Sequence, residues 1–340
     1  MENIKTRAGR LSLLNKFGPL LGLVLVYVLF VVIGPDSFSS LRNLETILRQ
    51  ATIVGVASLG MTMIIILGGI DLSVGSIVAL SSVVIASLLG GMVDVPAGGT
   101  LFDVNAGAGM ALFAALAGIG VGMLCGFVNG LIITKLKVVP FIVTLGTLLL
   151  VRGVAKGIAH EQKVNAPLSW LNDLLATRPR GEIGTLLPVG VWLLIILLIA
   201  LVVFLRYTRT GRHIYAIGSN EQTANLCGIS VNKVKLFVYT IAAGFAGLAG
   251  VMQFSRLSVG DPTVANGLEL DVIAAVVIGG GSLSGGEGTV VGSLIGALIM
   301  TVIRAGCQQM GLPNWVQQIV TGIIIVVAVA IDRLRHSAKD

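Results

Sequence analysis

The sequence predicts an all-α integral membrane protein of about ten transmembrane helices arranged as an inverted repeat. Three observations lead there. Only 11% of the 340 residues are charged and 55% are hydrophobic, whereas a soluble domain carries roughly 25% charge. Apolar segments near the 20 or so residues needed to cross a bilayer recur along the chain. Lysine and arginine gather at the ends of those segments, where orientation signals belong.

The expected spans cover about 18–34, 48–68, 73–91, 108–134, 139–158, 188–206, 234–254, 268–281, 288–304 and 314–332. The first follows a basic leader, "MENIKTRAGRLSLLNK", as a signal peptide would. No A-x-A-like site follows in "GPDSFSS", so it is expected to remain as a span. The eighth is the shortest. Basic residues Lys5, Arg7, Arg10, Lys16, Lys135, Lys137, Arg206, Arg209, Arg212, Lys233, Lys235, Arg333, Arg335 and Lys339 then share one side with both termini. That side is expected to be cytoplasmic. The segments 91–107 and 159–187 fall outside, although Lys163, Arg178 and Arg180 make the second an exception to the charge pattern.

The repeat is read from three matches. "GMLCGFVNGLIIT" (122–134) parallels "GTVVGSLIGALIM" (288–300), and "GIDLSVGSIVAL" (69–80) parallels "GLELDVIAAVVI" (267–278), pairing Asp71 with Glu269. "ATIVGVASLGM" (51–61) loosely parallels "YTIAAGFAGLAGVM" (239–252). The halves, about 48–158 and 234–332, are offset by an odd number of spans and so have opposite orientation, a common transporter architecture. The whole chain, 1–340, is expected to be one transmembrane domain.

Several function classes drop out. The net charge of +7 sits at span ends, so it does not indicate nucleic-acid binding. Cys125, Cys227 and Cys307 lie far apart, and His160, His213 and His336 are scattered; no metal site or disulfide framework is expected. There is no GxxxxGK[ST] motif, hence no P-loop in this chain.

Asp71, in "LGGIDLSVGS", is the conspicuous polar residue. A carboxylate at the bilayer centre costs about 2.5–3.5 kcal/mol on insertion scales. At a helix start the free amides and the positive dipole end lower that cost. Gly68 and Gly69 can stop the second span, and Asp71 or Ser73 can cap the third. The same residues also suit a helix broken inside the membrane beside a solute path. The series Gly118, Gly122, Gly126, Gly130 and the series Gly288, Gly292, Gly296 each mark one helix face for close backbone approach, either for internal packing or for a dimer seam. Asn129 needs a hydrogen-bond partner or water.

The segment 208–235 is the longest polar stretch on the side expected to be cytoplasmic. In "SNEQTANLCG" Ser219 or Asn220 can cap a short helix, Glu221 and Gln222 fill its first turn, and Gly228 can close it. A helix of that length needs a surface to lie on.

"GGIDLSVGS", followed by "GRHIYAIGSNEQTANLCGI" and "ELDVIAAVVIGGGSLSGGEGTVVGSLIGALI", resembles the permease subunits of bacterial ribose-type sugar ABC importers, a group that includes galactose and xylose systems. The likeness spans nearly the whole chain; branched-chain amino-acid permeases share the broad fold but lack the "GIDLSVG" form. It implies a multi-pass inner-membrane protein and not an enzyme, working as a permease homodimer in membrane lipid. ATP would be bound by a separate cytoplasmic subunit, so no cofactor belongs to this chain, and a periplasmic sugar-binding protein would dock outside. It also implies that Gly218, Ser219, Asn220, Glu221, Ala224 and Gly228 couple to the ATPase. Asn225 and Cys227 depart from the usual family pattern there. Sugar hydroxyls need a polar or wet path, for which Asp71, Ser73, Asn129, Gln253 and Gln317 are the candidates. With aromatics at 5%, selectivity is expected to lie mainly in the binding protein. The rivals are an ion-coupled secondary transporter using Asp71 or Glu269 and a channel-like structural membrane subunit.

Overall fold

A computed structural model describes residues 2–91, 105–176 and 187–337, so most of the segment 91–107 and part of 159–187 lie outside the described residues. The described chain is almost entirely helical: α1 (Glu2–Ile33), α2 (Leu41–Ile66), α3 (Val74–Gly91), α4 (Ala108–Leu136), α5 (Pro140–Ile158), α6 (Trp170–Asp173), α7 (Val189–Tyr207), α8 (Arg209–Ser219), α9 (Glu221–Leu226), α10 (Val231–Leu257), α11 (Leu268–Ile278), α12 (Val290–Gln309) and α13 (Asn314–Ser337). A short 3-10 turn (Asp36–Ser39) joins α1 to α2.

Seven of these helices, α2, α3, α4, α5, α7, α10 and α12, are long and apolar enough to cross a membrane. α1 and α13 contribute shorter apolar stretches, Gly18–Ile33 and Asn314–Ala330. The span expected at 268–281 is not a full crossing helix. α11 has 11 residues, about 16 Å of rise, against roughly 30 Å of hydrocarbon. It stops at Gly279 and Gly280, the latter at φ +92°. So short a helix is tolerated at membrane depth because protein encloses it: α11 packs among α2, α3, α12 and α13.

The core is built on α2 and α10. Every residue of α2 from Ala51 to Ile66 is buried, the pattern of a helix that is apolar all round. The two helices touch at Gly60, where a Cβ would stand 2.6 Å from the Ala242 carbonyl oxygen. α10 packs on α3 and α4, and α2 packs on α11 and α12. The outer helices expose large apolar side chains instead: Leu112, Phe113 and Leu116 on α4, Leu149 and Leu150 on α5, Trp192, Ile196 and Ile199 on α7, Ile323 and Val326 on α13. Apolar surface of that extent on every side is a lipid-facing belt.

The glycine series of α4 is an internal seam, not a dimer face. A Cβ on Gly122 would lie 2.6 Å from the Ala243 carbonyl oxygen, and one on Gly126 would collide with the Tyr239 carbonyl. Gly292 and Gly296 abut Gly279 and Ala275 of α11. Gly288, matched above to Gly122, precedes α12 at φ +156°, so that motif register is not followed by the helices.

The α4–α10 seam gives a direct test. Gly126→Val should cost at least the roughly 1–3 kcal/mol typical of overpacking. Gly120→Val, where nothing stands within 4 Å, should be tolerated. Thermal stability of the two purified variants against wild type decides it; equal stability would remove the seam.

Candidate functional site

The first feature of interest is the break between α2 and α3. Asp71 is fully buried. Its Oδ1 accepts from the Ser73 amide at 2.8 Å and the Ser73 hydroxyl at 2.5 Å. The carboxylate therefore closes the turn that feeds α3, rather than reaching that helix's first-turn amides. Ser73 Oγ accepts from Asn129 Nδ2 of α4 at 3.2 Å, and Asn129 Oδ1 accepts from Thr147 Oγ1 of α5 at 2.6 Å. Thr144, also on α5, donates to the Ile70 carbonyl at 3.3 Å. Asp71, Ser73 and Asn129 have no solvent exposure at all. They form a dry polar chain that pins the break to two neighbouring helices. Among the described residues, Asp71 Oδ2 and the buried Tyr239 hydroxyl have no hydrogen-bond partner, and that hydroxyl sits directly against Gly69.

The break after α10 repeats the same turn. Asp261 Oδ1 accepts from the Thr263 amide at 2.8 Å and from its hydroxyl at 2.6 Å. Asp261-Pro262-Thr263 thus has the hydrogen-bond pattern of Asp71-Leu72-Ser73, which Glu269 does not share. Glu269 lies in the first turn of α11, where its Oε1 accepts from the Gly267 amide at 3.2 Å. Lys163 stands 3.7 Å from Asp261. Burial works against the Asp261 charge, but the Thr263 donors and Lys163 outweigh it and hold the carboxyl below its usual range. A two-stranded ladder, β1 (Val164–Asn165) with β2 (Val259–Gly260), ties this loop to the segment after α5. Arg152 of α5 donates to the Pro262 and Val264 carbonyls at 2.9 and 2.6 Å.

Gln253 and Gln317 occupy different surroundings. Gln253 lines a cavity of about 120 Å³ with Gln50, Arg256, Asp271, Thr301 and Arg304. Gln317 lines a larger basin of about 540 Å³ with Asn266, Arg304, Gln308, Asn314 and Gln318. Arg304 borders both, and its guanidinium lies 2.6 Å from the Asp271 carboxylate. Amides and one guanidinium make this a surface of hydrogen-bond donors and acceptors at the edge of a membrane bundle. Arg304, Asp271 and Arg152 were not among the candidates from sequence. The signal was available, since each interrupts an apolar run, as in "LLLVRGVA" and "MTVIRAGC", and an ionisable residue within a span is a functional candidate by default.

The third feature is the arm made by α8 and α9. Thr208 caps α8, accepting from the Gly211 amide at 3.0 Å. Ser219 is the last residue of α8, and Asn220 caps α9 by accepting from the Thr223 amide at 2.8 Å. Gly228 closes the arm at φ +82°. Glu221 pairs with Lys235 at 2.7 Å. Ala224 is buried within its own chain, whereas Leu226 is 88% exposed. At Gly218 the arm presses on the end of α2: a Cβ there would collide with the Ile66 carbonyl and lie 2.6 Å from the Gly286 amide. Gly286 N–H in turn donates to the Ile66 carbonyl at 2.8 Å, and Tyr215 donates to the Gly288 carbonyl at 2.9 Å. The arm therefore touches both the α2–α3 break and the loop between α11 and α12.

A lipid-belted helical bundle with broken inner helices, a polar basin and a helical arm at one end defines a multi-pass membrane transport protein. The profile described as "Branched-chain amino acid transport system / permease component" matches residues 43–329, and the chain belongs to that family of permeases. It is similar to the ribose import permease protein RbsC of Escherichia coli K12, at 39% identity over 93% of both chains. It is 37% identical to the Bacillus subtilis RbsC over 99% of both chains. The fructose import permease protein FrcC of Rhizobium meliloti is 35% identical over 93% of this chain and 84% of its own. No solved structure matches the chain.

Asp71 separates a turn-closing role from a charge role. Asp71→Asn keeps the acceptor for Ser73 and should transport at near the wild-type rate. Asp71→Leu strands buried donors, at about 1–3 kcal/mol each, and should lose assembly or transport. Solute uptake and membrane yield measured together check this; loss of transport in a well-assembled Asp71→Asn would make the charge itself essential.

Proposed function

We infer that this chain is the membrane-spanning permease subunit of an ATP-driven importer of small sugars, of the ribose, galactose and xylose class. The observation that carries the reading is the arm, whose inner side is seated on the helix breaks and whose outer side presents Leu226 to the surroundings. An exposed leucine at a polar helical tip is what a partner's groove would cover. The partner is a separate ATP-binding subunit, which holds the ATP. The family description names branched-chain amino acids, but relatives aligned over nearly their whole lengths are named for ribose and fructose import. The basin can take a sugar as well: Asn266, Gln308, Gln317 and Gln318 can replace the water lost from hydroxyls, beside the apolar Leu270 and Ile325.

The proposed topology has ten crossings, with α11 a shortened one and both termini in the cytoplasm. Lys135, Lys137, Arg206, Arg209, Arg212, Lys233 and Lys235 then lie with the arm on the cytoplasmic side. The Asp261–Lys163 face is periplasmic and receives the sugar-binding protein. The inverted repeat is supported by packing: α2 against α11 and α12 mirrors α10 against α3 and α4. The matching turns at Asp71 and Asp261 add to it. A permease homodimer joins the two basins, which open beside α13, into one path. In that path Gln253, Gln317 and Arg304 meet the solute, while Asp71, Ser73 and Asn129 hold the break in shape. Gly218, Ser219, Asn220, Glu221 and Gly228 shape the arm, and Ala224 anchors it within the chain.

Reconstitution tests the reading. In proteoliposomes, labelled ribose should enter only when this chain, its ATPase and its binding protein are all present. Uptake by the chain alone under a proton or sodium gradient would favour the secondary transporter. Leu226→Asp should weaken co-purification of the ATPase about tenfold or more, since burying a leucine is worth about 1.5–3 kcal/mol. Unchanged co-purification would put the docking surface elsewhere.

A further inference from the structure

One cavity belongs neither to the basin nor to the outer face of the arm. It has a volume of about 520 Å³ and lies where the end of α7, the start of α8 and the start of α12 meet. Its walls are of two kinds. Val202, Leu205, Val290 and Val291 are apolar, and Arg206, Arg212, Tyr215 and Thr289 are polar. No carboxylate lines it, and neither arginine forms an ion pair among the described residues. On the same helix α7, Ile196, Ile199 and Val203 are exposed. Tyr207, 67% exposed, has the Arg206 guanidinium 5.5 Å from its ring centre. An exposed tyrosine beside an arginine at the end of an apolar helix marks the headgroup level of the bilayer.

We propose that this cavity binds an anionic phospholipid of the cytoplasmic leaflet, with its phosphate between Arg206 and Arg212 and an acyl chain along Val202, Leu205 and Val290. Guanidinium groups take phosphate with two parallel hydrogen bonds, and basic pockets between membrane helices on the cytoplasmic side are suited to anionic headgroups. A phosphate without chains would leave the apolar wall uncovered, and a zwitterionic lipid would bring its own cation against two arginines. The leaflet follows the orientation proposed above. The site lies beside Tyr215 and the start of α12, so the lipid would brace the loop on which the arm rests.

Native mass spectrometry of the detergent-purified chain tests this, after incubation with equal amounts of phosphatidylglycerol and phosphatidylcholine bearing the same acyl chains. Wild type should retain phosphatidylglycerol about tenfold over phosphatidylcholine, a preference of ~1.4 kcal/mol. The double variant Arg206→Gln/Arg212→Gln should bring the ratio to about one, and Arg206→Lys/Arg212→Lys should keep most of it. Equal retention of the two lipids by wild type, or an unchanged ratio in the glutamine variant, would overturn the proposal. Displacement of the lipid by excess free glycerol phosphate would also overturn it, by showing that the phosphate binds from water without its chains. Retention in detergent does not depend on which leaflet the cavity faces, so a failure here is distinct from a wrong topology. The wild-type comparison stands even if the glutamine variant does not fold.

Discussion

The carbonyl of Ile66 is the point on which the arrangement turns. It ends α2, the most enclosed helix of the bundle, and a helix end buried in a membrane protein cannot leave its acceptors bare. The acceptor is met by the Gly286 amide at 2.8 Å, which comes from the other half of the chain. Gly218 of the arm closes over the same pair with no room for a side chain. Three segments far apart in sequence thus share one contact made largely of backbone. The end of α2 and the loop before α12 share the hydrogen bond, and the arm packs against both.

That contact separates two kinds of polar group. Around Asp71 the side chains of Ser73, Asn129 and Thr147 hydrogen-bond to one another in a buried chain. Such a network gives a helix break a single shape, because a buried polar group left unpaired is costly. Around Arg304 the side chains line open volume. The first group is tied into the turn before α3, and the second borders two cavities. A transporter needs both: a break stiff enough to be moved as a unit, and a path whose contacts can be exchanged.

Much of this was legible in the sequence, for physical reasons that can be named. Helix positions followed from apolar length, because lipid leaves few alternatives to helices. The cap at Asn220, the left-handed turn at Gly228 and the close packing of Gly122 and Gly126 each followed from a local rule. Asp71 was recognised as unusual and as a turn former, and was paired with Glu269, whereas the turn that shares its hydrogen-bond pattern is the one at Asp261. The match had been made by residue spacing along the chain, and α11 starts five residues after Thr263, whereas α3 starts directly after Ser73. Ala224 was named for coupling by the family resemblance; the structure buries it within its own chain. Leu226 carried no signal, since exposure is a property of the assembled arm. The Arg304–Asp271 pair was missed because it joins two helices, and spacing within one helix does not show which neighbours meet.

The central claim is that the arm moves the helix breaks through the Gly218–Ile66–Gly286 contact. The most direct measurement is coupling in the reconstituted importer with Gly218→Ala, in which one methyl group prises that contact apart. The ATPase should still bind and hydrolyse ATP, while sugar uptake per ATP falls several-fold. Uptake per ATP equal to wild type, in a variant that is folded and bound to its ATPase, would contradict it.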